Sequence, residues 1–341
     1  MDVSACFNFN ARRKQICNPY HVVTAIAILG MAFAGLAQAT DYPDRTIRLV
    51  VPFSPGGASD FVGRIIQPKL GSELGQQIII ENRAGASGYL GVEAAADSAP
   101  DGYTALLGNI GTMAINASVF PKHRVKALEA FIGVTQVVDV PGMVVVHPSL
   151  PVKSIKELIA FAKARPGVLD FSVFGAGSSS RLAFELFQQQ ANIKLTMVPY
   201  KGGASGASLA VASGEVPVTM LTSSSLLPYI NQGLMRLLAV VAPERLSAAP
   251  QAPTMKELGF PDHVVGSWQG VYVPKGTPRA IVDRLFLAVT TTMKDAEVIK
   301  RLGTASAAAI ISKSPEDFHK FWLSEHNRWS KVVTDVGAVS R

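Results

Sequence analysis

Short runs of apolar residues alternate with glycine-rich turns and amphipathic stretches along most of the chain. The run over 49–53 is entirely apolar, which predicts a strand buried on both faces, as in a parallel sheet. Pro55, Gly56 and Gly57 then form a turn, and a helix over 59–74 follows, with Ser59 or Asp60 as its predicted N-cap. Such a junction directs main-chain N–H groups and the positive end of a helix dipole at one point, which suits a small carboxylate.

The same alternation continues and predicts an α/β sheet with right-handed crossovers. Strands at 46–53, 77–81 and 103–107 alternate with helices that end at Leu74 and Ala96. Further strands are predicted at 171–174, 196–200, 216–221 and 237–241, with helices at 180–190, 204–213 and 226–232 between them.

Two similar strands, at 142–147 and 270–274, each end at a proline and precede a helix. We interpret them as two passages of the chain between two lobes, with lobe I at 40–143 and 268–341 and lobe II at 144–267. Because ligands of open α/β sheets lie beyond the carboxyl ends of strands, the site is predicted in the interlobe cleft. The loops that form it follow Phe53, Leu107, Phe174 and Tyr200.

The N-terminus has the pattern of a cleavable signal peptide over residues 1–39. Arg12, Arg13 and Lys14 precede an apolar stretch at 22–36, and Ala37-Gln38-Ala39 is a typical cleavage site. Export from the cytoplasm is therefore expected; the family resemblance described below implies the periplasm as the destination. Cleavage would remove both cysteines, which excludes a disulfide, a thiol nucleophile and a cysteine metal ligand from the mature chain.

Composition excludes several classes of function. Charged residues make up 17% of the chain and the mean hydropathy is +0.26, which is typical of a globular protein. The net charge of +7 is not concentrated in runs of lysine or arginine, so nucleic-acid binding is not expected. The histidines lack the spacing of metal ligands, and no G-x-S-x-G or P-loop motif occurs. We therefore predict no enzyme, no metal and no cofactor.

A series of short motifs resembles one family along the whole chain from Tyr42. The motifs are, in order, Tyr42-Pro43-Asp44-Arg45, Pro52-Phe53-Ser54-Pro55-Gly56-Gly57, Glu81-Asn82-Arg83-Ala84-Gly85, Ala99-Pro100-Asp101-Gly102-Tyr103-Thr104 and Tyr200-Lys201-Gly202-Gly203. They are similar to those of the tripartite tricarboxylate transporter solute-binding proteins, the Bordetella uptake gene (Bug/TctC-like) family. The resemblance implies an α/β fold of the two-lobed periplasmic binding protein, type II, with two crossover strands forming the hinge. It also implies a monomeric receptor that captures a small carboxylate (a di- or tricarboxylate or an aromatic acid) for a membrane permease, without catalysis.

The resemblance further implies a ligand site formed by four loops. The implied residues are, in chain order, Phe53, Gly56, Gly57, Ser59 and Asp60; Asn109 and Thr112; Gly177, Ser178, Ser179, Ser180 and Arg181; and Tyr200, Gly202, Gly203 and Ala204. Arg181 stands where relatives often carry histidine, and Thr222 where aspartate is common, so the identity of the acid stays open.

Several alternatives also stay open. The serine run at 178–180 is either a carboxylate site or a capped helix start, and Arg181 contacts either the ligand or solvent. Asp60 would repel a carboxylate, which favours a role in capping its own helix. For the whole chain, the alternatives are a ligand-sensing module for a signalling partner and a periplasmic hydrolase whose triad assembles in space.

Overall fold

Two sheets, with helices packed against them, make up the computed structural model, which describes residues 42–175, 177–200, 203–261 and 266–339. The predicted signal peptide over 1–39 lies outside the described residues. Among the helices that are described, none is both long enough and apolar enough to cross a membrane.

The strands correspond closely to the apolar runs of the sequence. They are β1 (Ile47–Val51), β2 (Ile78–Asn82), β3 (Thr104–Asn109), β4 (Phe131–Val140), β5 (Gly142–Val146), β6 (Asp170–Val173), β7 (Thr196–Pro199), β8 (Val218–Thr222), β9 (Arg236–Val241), β10 (Ser267–Pro274) and β11 (Ala308–Ala309). The first sheet has the order β11-β4-β10-β3-β1-β2, and the second has the order β7-β6-β8-β5-β9.

Helices connect most of these strands. They are α1 (Ala58–Leu74), α2 (Tyr89–Ala96), α3 (Asn116–Val119), α4 (Ala127–Ala130), α5 (Ile155–Ala164), α6 (Ser179–Ala191), α7 (Gly203–Ala212), α8 (Ser223–Asn231), α9 (Arg279–Met293), α10 (Ala296–Gly303) and α11 (Pro315–Asp335). A 3₁₀ turn covers Ala86–Gly88 and a π-helical turn covers Gly111–Ile115.

The central strands of both sheets run in the directions expected of an α/β fold. In the first sheet, β1 is parallel to β2 and β3, whereas β10 is antiparallel to β3 and β4. In the second sheet, β6 is parallel to β7 and β8, and β5 is antiparallel to β8 and β9. Because parallel strands end at the same edge, the loops after β1 and β3 meet, as do those after β6 and β8.

The aromatic stripe of α11 forms part of the core. Phe318, Trp322 and Trp329 are buried at helical spacing. The rings of Phe318 and Trp322 pack on Tyr272 of β10, with centroids 5.3 and 4.9 Å away. The Trp322 indole N–H donates to the carbonyl of Met113 at 2.7 Å, which ties α11 to the π-helical turn after β3.

The chain crosses between the sheets twice. Only Pro141 separates β4 of the first sheet from β5 of the second, and β10 brings the chain back to the first sheet. These passages are the predicted crossover strands. The sequence did not predict β4, because Thr135 and Gln136 interrupt its apolar pattern although both are buried. The chain from Pro43 onward forms one compact unit. The lobe boundaries given above stay a prediction.

Candidate functional site

A cavity lies where the carboxyl ends of strands from both sheets face each other, and its empty space of about 610 Å³ is partly open to solvent. Its lining residues are Phe53, Ser54, Gly57, Ala58, Ser59, Asn109, Gly142, Phe174, Ser179, Ser180, Ala183, Ala204, Met220, Leu221, Thr222, Gly266 and Ser267. Among these described residues, none carries a charged side chain. From these described residues, a charged ligand would meet dipoles of the main chain and of hydroxyl and amide groups.

The loop between β1 and α1 provides one wall. Gly56 has a φ of +84°, a conformation that other residues rarely adopt. The helix begins at Ala58 with Gly57 as N-cap, and no side chain caps it. The predicted N-cap, Ser59 or Asp60, is therefore wrong: both residues lie inside the first turn. Only this earlier start allows the Asp60 carboxylate to turn back and accept the N–H of Gly56, at 3.0 Å.

Asp60 stabilises the conformation of this loop from the side away from the cavity. It is 4% exposed, and its carboxylate also accepts hydrogen bonds from Arg64 at 2.9 Å and from Asn82 at 3.1 Å. Asn82 donates in addition to the carbonyl of Phe53, at 3.0 Å. Burial alone would raise the pKa of Asp60, but the hydrogen bonds from Arg64, Gly56 and Asn82 outweigh it and hold the pKa below the ordinary 3.8. Asp60 is thus a charged support of the loop and is not a lining residue of the cavity.

The loop after β3 is held by a reciprocal pair. The Asn109 carboxamide oxygen accepts the N–H of Thr112 at 3.1 Å, and the Thr112 hydroxyl accepts the N–H of Asn109 at 3.1 Å. Thr112 is buried behind the cavity, whereas Asn109 lines it. The Asn109 side-chain NH₂ group makes no hydrogen bond to any described residue and is available to a ligand.

The three serines at the start of α6 have different roles. Ser178 is the N-cap, and its hydroxyl accepts the N–H of Arg181 at 3.2 Å and donates to the carbonyl of Gly175 at 2.8 Å. Ser179 and Ser180 line the cavity. The structure therefore combines the two alternatives, with a capping serine followed by two serines at the cleft. The Arg181 side chain is paired with Glu185, Nε to Oε1 at 2.8 Å, and does not line the cavity.

Four helices of nine or more residues begin at the cavity. Ser59, Ser179 and Ala204 from the first turns of α1, α6 and α7 line it, and so does Thr222, the N-cap of α8. First-turn N–H groups have no acceptor within their own helix, and each helix N-terminus carries the equivalent of about half a positive charge. The Ser59 hydroxyl is buried, lines the cavity and has no hydrogen-bond partner among the described residues.

Two phenyl rings from opposite sheets meet in the cleft. Phe53 follows β1 and Phe174 follows β6, and their rings make an edge-to-face contact with centroids 6.0 Å apart. Beside them is a second, smaller cavity, which shares Phe53, Phe174, Asn109 and Ser179 with the first. Its other lining residues are Ser87, Gly111, Gly175, Gly177 and Ser178.

The remaining predicted residues lie around these cavities. Tyr200 donates its hydroxyl to Glu215 at 2.9 Å, and Gly203, with φ +71°, lies next to Ser54. Gly202 lies outside the described residues. None of Gly56, Asp60, Thr112, Arg181, Tyr200 or Gly203 lines either cavity, and the ligand-binding roles of all the predicted residues stay predictions.

Sequence reasoning missed a substantial part of the wall. The missed residues are Ser54, Ala58, Gly142, Phe174, Ala183, Met220, Leu221, Thr222, Gly266 and Ser267 in the main cavity and Ser87 and Gly111 in the smaller one. For Met220, Leu221 and Thr222 a signal existed, because a strand was predicted at 216–221 and its carboxyl end follows the same rule as the others. Gly142 and Ser267 belong to the crossover strands, and their position at the cavity depends on how the two sheets pack, which the sequence pattern does not predict.

Contacts across the cleft join the two sets of loops. Ser205 of α7 donates its hydroxyl to the carbonyl of Pro55 at 2.9 Å. On the side of the smaller cavity, Gly177 lies so close to Asn116 that a Cβ atom on Gly177 would overlap the Asn116 carboxamide oxygen. The described conformation is thus one in which the loops of both sheets touch.

Comparison with known proteins gives a consistent result. The model of the family described as "Tripartite tricarboxylate transporter family receptor" matches residues 62–338. BugT of Bordetella pertussis is 36% identical over 319 residues, which cover 92% of this chain and 97% of BugT.

Solved structures agree with this match. The periplasmic binding protein BugD is 27% identical with a TM-score of 0.83, and the alignment covers 88% of this chain and 100% of BugD. The R. palustris protein Rpa4515, solved with adipate, is 33% identical with a TM-score of 0.83 over 87% of this chain and 99% of Rpa4515. The predicted fold, a two-lobed periplasmic binding protein of type II, is confirmed.

Proposed function

Because the chain belongs to the family of tripartite tricarboxylate transporter receptors, as the sequence motifs implied, we propose that it captures a small carboxylate in the periplasm and delivers it to a membrane permease. The family and the fold are those of solute-binding receptors and not of enzymes. The adipate bound by the Rpa4515 relative supports a carboxylate as the ligand.

One observation carries the proposal: the N-termini of α1, α6, α7 and α8 converge on a cavity whose described lining residues carry no charged side chain, and the Ser59 hydroxyl there has no hydrogen-bond partner among the described residues. A carboxylate placed there would accept hydrogen bonds from first-turn N–H groups of α1 and α6, and from Ser59 and Asn109. Hydrogen bonds to a charged group each contribute about 1.5–3 kcal/mol, roughly twice the value for neutral pairs. A neutral solute of the same shape gains less from the same donors.

Binding and closure are linked in this arrangement. The carboxylate contacts loops from both sheets, so it stabilises the conformation in which those loops touch more than any conformation in which they are apart. The Ser205–Pro55 hydrogen bond and the Gly177–Asn116 contact belong to that conformation. A permease that recognises the closed shape would then accept only the loaded receptor.

The test begins with native mass spectrometry of the purified protein to identify a co-purified acid, followed by thermal-shift measurements with a panel of organic acids. We expect at least one carboxylate to raise the melting temperature and Gly57→Trp to abolish that shift, because the indole would fill the cavity beside α1. Gly303→Trp is the matched control, since a Cβ at Gly303 meets open space. An undiminished shift in Gly57→Trp, or a panel in which only cationic or neutral solutes bind, would contradict the proposal.

Delivery to a permease needs a separate test in the cell. Deleting the gene should abolish uptake of the acid identified by mass spectrometry, and complementation with the wild-type chain, but not with Gly57→Trp, should restore it. Normal uptake in the deletion strain would reject the transport role and leave the binding role intact.

A further inference from the structure

The start of α7 lies against the loop between β1 and α1, on the opposite side of the cleft. The Ser205 hydroxyl donates to the carbonyl of Pro55 at 2.9 Å. Beside this hydrogen bond, a Cβ atom on Gly57 would lie 3.8 Å from the Cβ atom of Ala204, an ordinary van der Waals distance. We call these four residues the α7 contact. It joins the loop after a strand of the first sheet to a helix that connects two strands of the second.

Gly56 leaves room for the Ser205 hydroxyl in this contact. A Cβ atom on Gly56 would approach Oγ of Ser205 to 2.8 Å, which is closer than Cβ atoms come to their neighbours. Any larger residue at this position would therefore displace the hydroxyl from the carbonyl of Pro55. Gly56 lines neither cavity, so the α7 contact gives this glycine a role other than binding the ligand.

Both partners of the hydrogen bond belong to segments that are anchored to their own sheet. On one side of the cleft, the Asp60 carboxylate accepts the N–H of Gly56 at 3.0 Å. On the other side, the Ser172 hydroxyl of β6 donates to the carbonyl of Ala207 in α7 at 2.9 Å. Because both segments are already ordered, forming the bond restricts little more than the side-chain rotamer of Ser205.

We propose that Ser205 is a closure residue, whose hydrogen bond to Pro55 stabilises the conformation in which the loops touch and slows release of the ligand. This inference rests on the proposed function, because it takes the cleft as the ligand site. The bond breaks when the loops separate, and the ligand leaves only after they have separated. Loss of the bond should therefore change the dissociation rate constant more than the association rate constant.

Disulfide cross-linking tests the closure without any ligand. The double variant Gly57→Cys/Ala204→Cys places two Cβ atoms 3.8 Å apart, about the mean separation in disulfides. Cys6 and Cys17 are changed to serine in the same chain. Oxidised glutathione should form the disulfide. Adding Ser205→Ala should slow its formation about two- to tenfold, because the closed conformation becomes less populated.

Ser213→Ala is the matched control for cross-linking. The Ser213 hydroxyl donates to the carbonyl of Ala210 at 3.2 Å, within one segment on one side of the cleft. Its loss should leave the rate of disulfide formation unchanged. Cross-linking that is as fast with Ser205→Ala as without it would overturn the inference, and so would a cysteine pair that forms no disulfide.

Stopped-flow fluorescence with adipate, the ligand of the Rpa4515 relative, tests the effect on release. In the single variant Ser205→Ala, the dissociation rate constant should rise about two- to tenfold, whereas the association rate constant should change by less than about twofold. Ser213→Ala should keep both constants. A change confined to the association rate constant, or no change, contradicts the role of Ser205. If wild type binds no adipate, cross-linking alone decides, so failure of the carboxylate receptor is distinguishable from failure of the closure residue.

Discussion

Replacing Asp139 by asparagine should stabilise the protein at neutral pH. Asp139 lies near the end of β4, just before the crossing at Pro141, and its buried Oδ1 atom has no hydrogen-bond partner among the described residues. The carboxylate lies against Gly266 so closely that a Cβ there would overlap it. Glu325 adds electrostatic repulsion. Burial, followed by this repulsion, raises the pKa of Asp139 from 3.8 to about 6.

The sign and size of the effect follow from this shift. Below about pH 3 the carboxyl group is protonated in both the folded and the unfolded chain, so its burial does not lower the free energy of unfolding. As the pH rises toward 6, the unfolded chain releases the proton more readily, and the free energy of unfolding falls. A shift of about two pKa units corresponds to about 3 kcal/mol. Since part of the side chain reaches solvent, we expect Asp139→Asn to gain about 2–3 kcal/mol at pH 7.5.

Urea denaturation between pH 3.5 and 7.5 measures this gain. The variant should be more stable than wild type at pH 7.5, and the difference should shrink to less than about 0.5 kcal/mol at pH 3.5. Asp101→Asn is the control, because Asp101 forms an exposed ion pair with Arg45 at 2.9 Å and should change stability by less than about 1 kcal/mol. An Asp139→Asn variant that is no more stable at pH 7.5, or that keeps the wild-type slope between pH 4 and 6, would refute the reasoning.

Three other substitutions test separate parts of the structure. Asp60→Asn should lower the free energy of unfolding by about 1–3 kcal/mol at pH 7. Because folding lowers the pKa of Asp60, this loss should shrink as the pH falls below about 4, and urea denaturation at pH 7 and pH 3 measures the change. Gly177→Ala should weaken carboxylate binding by about 1–3 kcal/mol in calorimetry, because the new Cβ atom would overlap Asn116, whereas the control Gly303→Ala should bind as wild type does. If Gly177→Ala and wild type bind with equal affinity, the contact across the cleft is contradicted. Tyr272→Phe should gain about 1 kcal/mol in thermal unfolding, since the buried hydroxyl lacks a partner in the described chain; a loss would show that it has one.

The sequence predicted the parts of the fold that depend on local pattern. The apolar run at β1 and the turn at Gly56 are both encoded within a few neighbouring residues. Elements that depend on distant partners were harder to predict. The polar residues Thr135 and Gln136 are accommodated within β4 because their neighbours are β10 and the segment near Ser312, both more than 130 residues away.

The site shows the same division. Ser59, Asn109 and Ser179 were predicted because each follows a predicted strand and a turn. The support given by Asp60 was not, because it depends on where α1 begins, and strand and helix boundaries are set by tertiary contacts. The ion pair between Arg181 and Glu185 could have been predicted from the sequence, because Glu185 is four residues later on the same helix, the spacing at which such ion pairs form.

The central claim is that main-chain amides and hydroxyl groups at helix N-termini hold a negatively charged ligand without help from a charged side chain among the described lining residues. Calorimetry with acids and their primary amides tests it most directly, using hexanoate with hexanamide and adipate with adipamide. The amide keeps the shape of the acid and removes its charge. The account predicts that at least one acid binds and that its amide binds at least about tenfold more weakly. An amide that binds as tightly as its acid would contradict it.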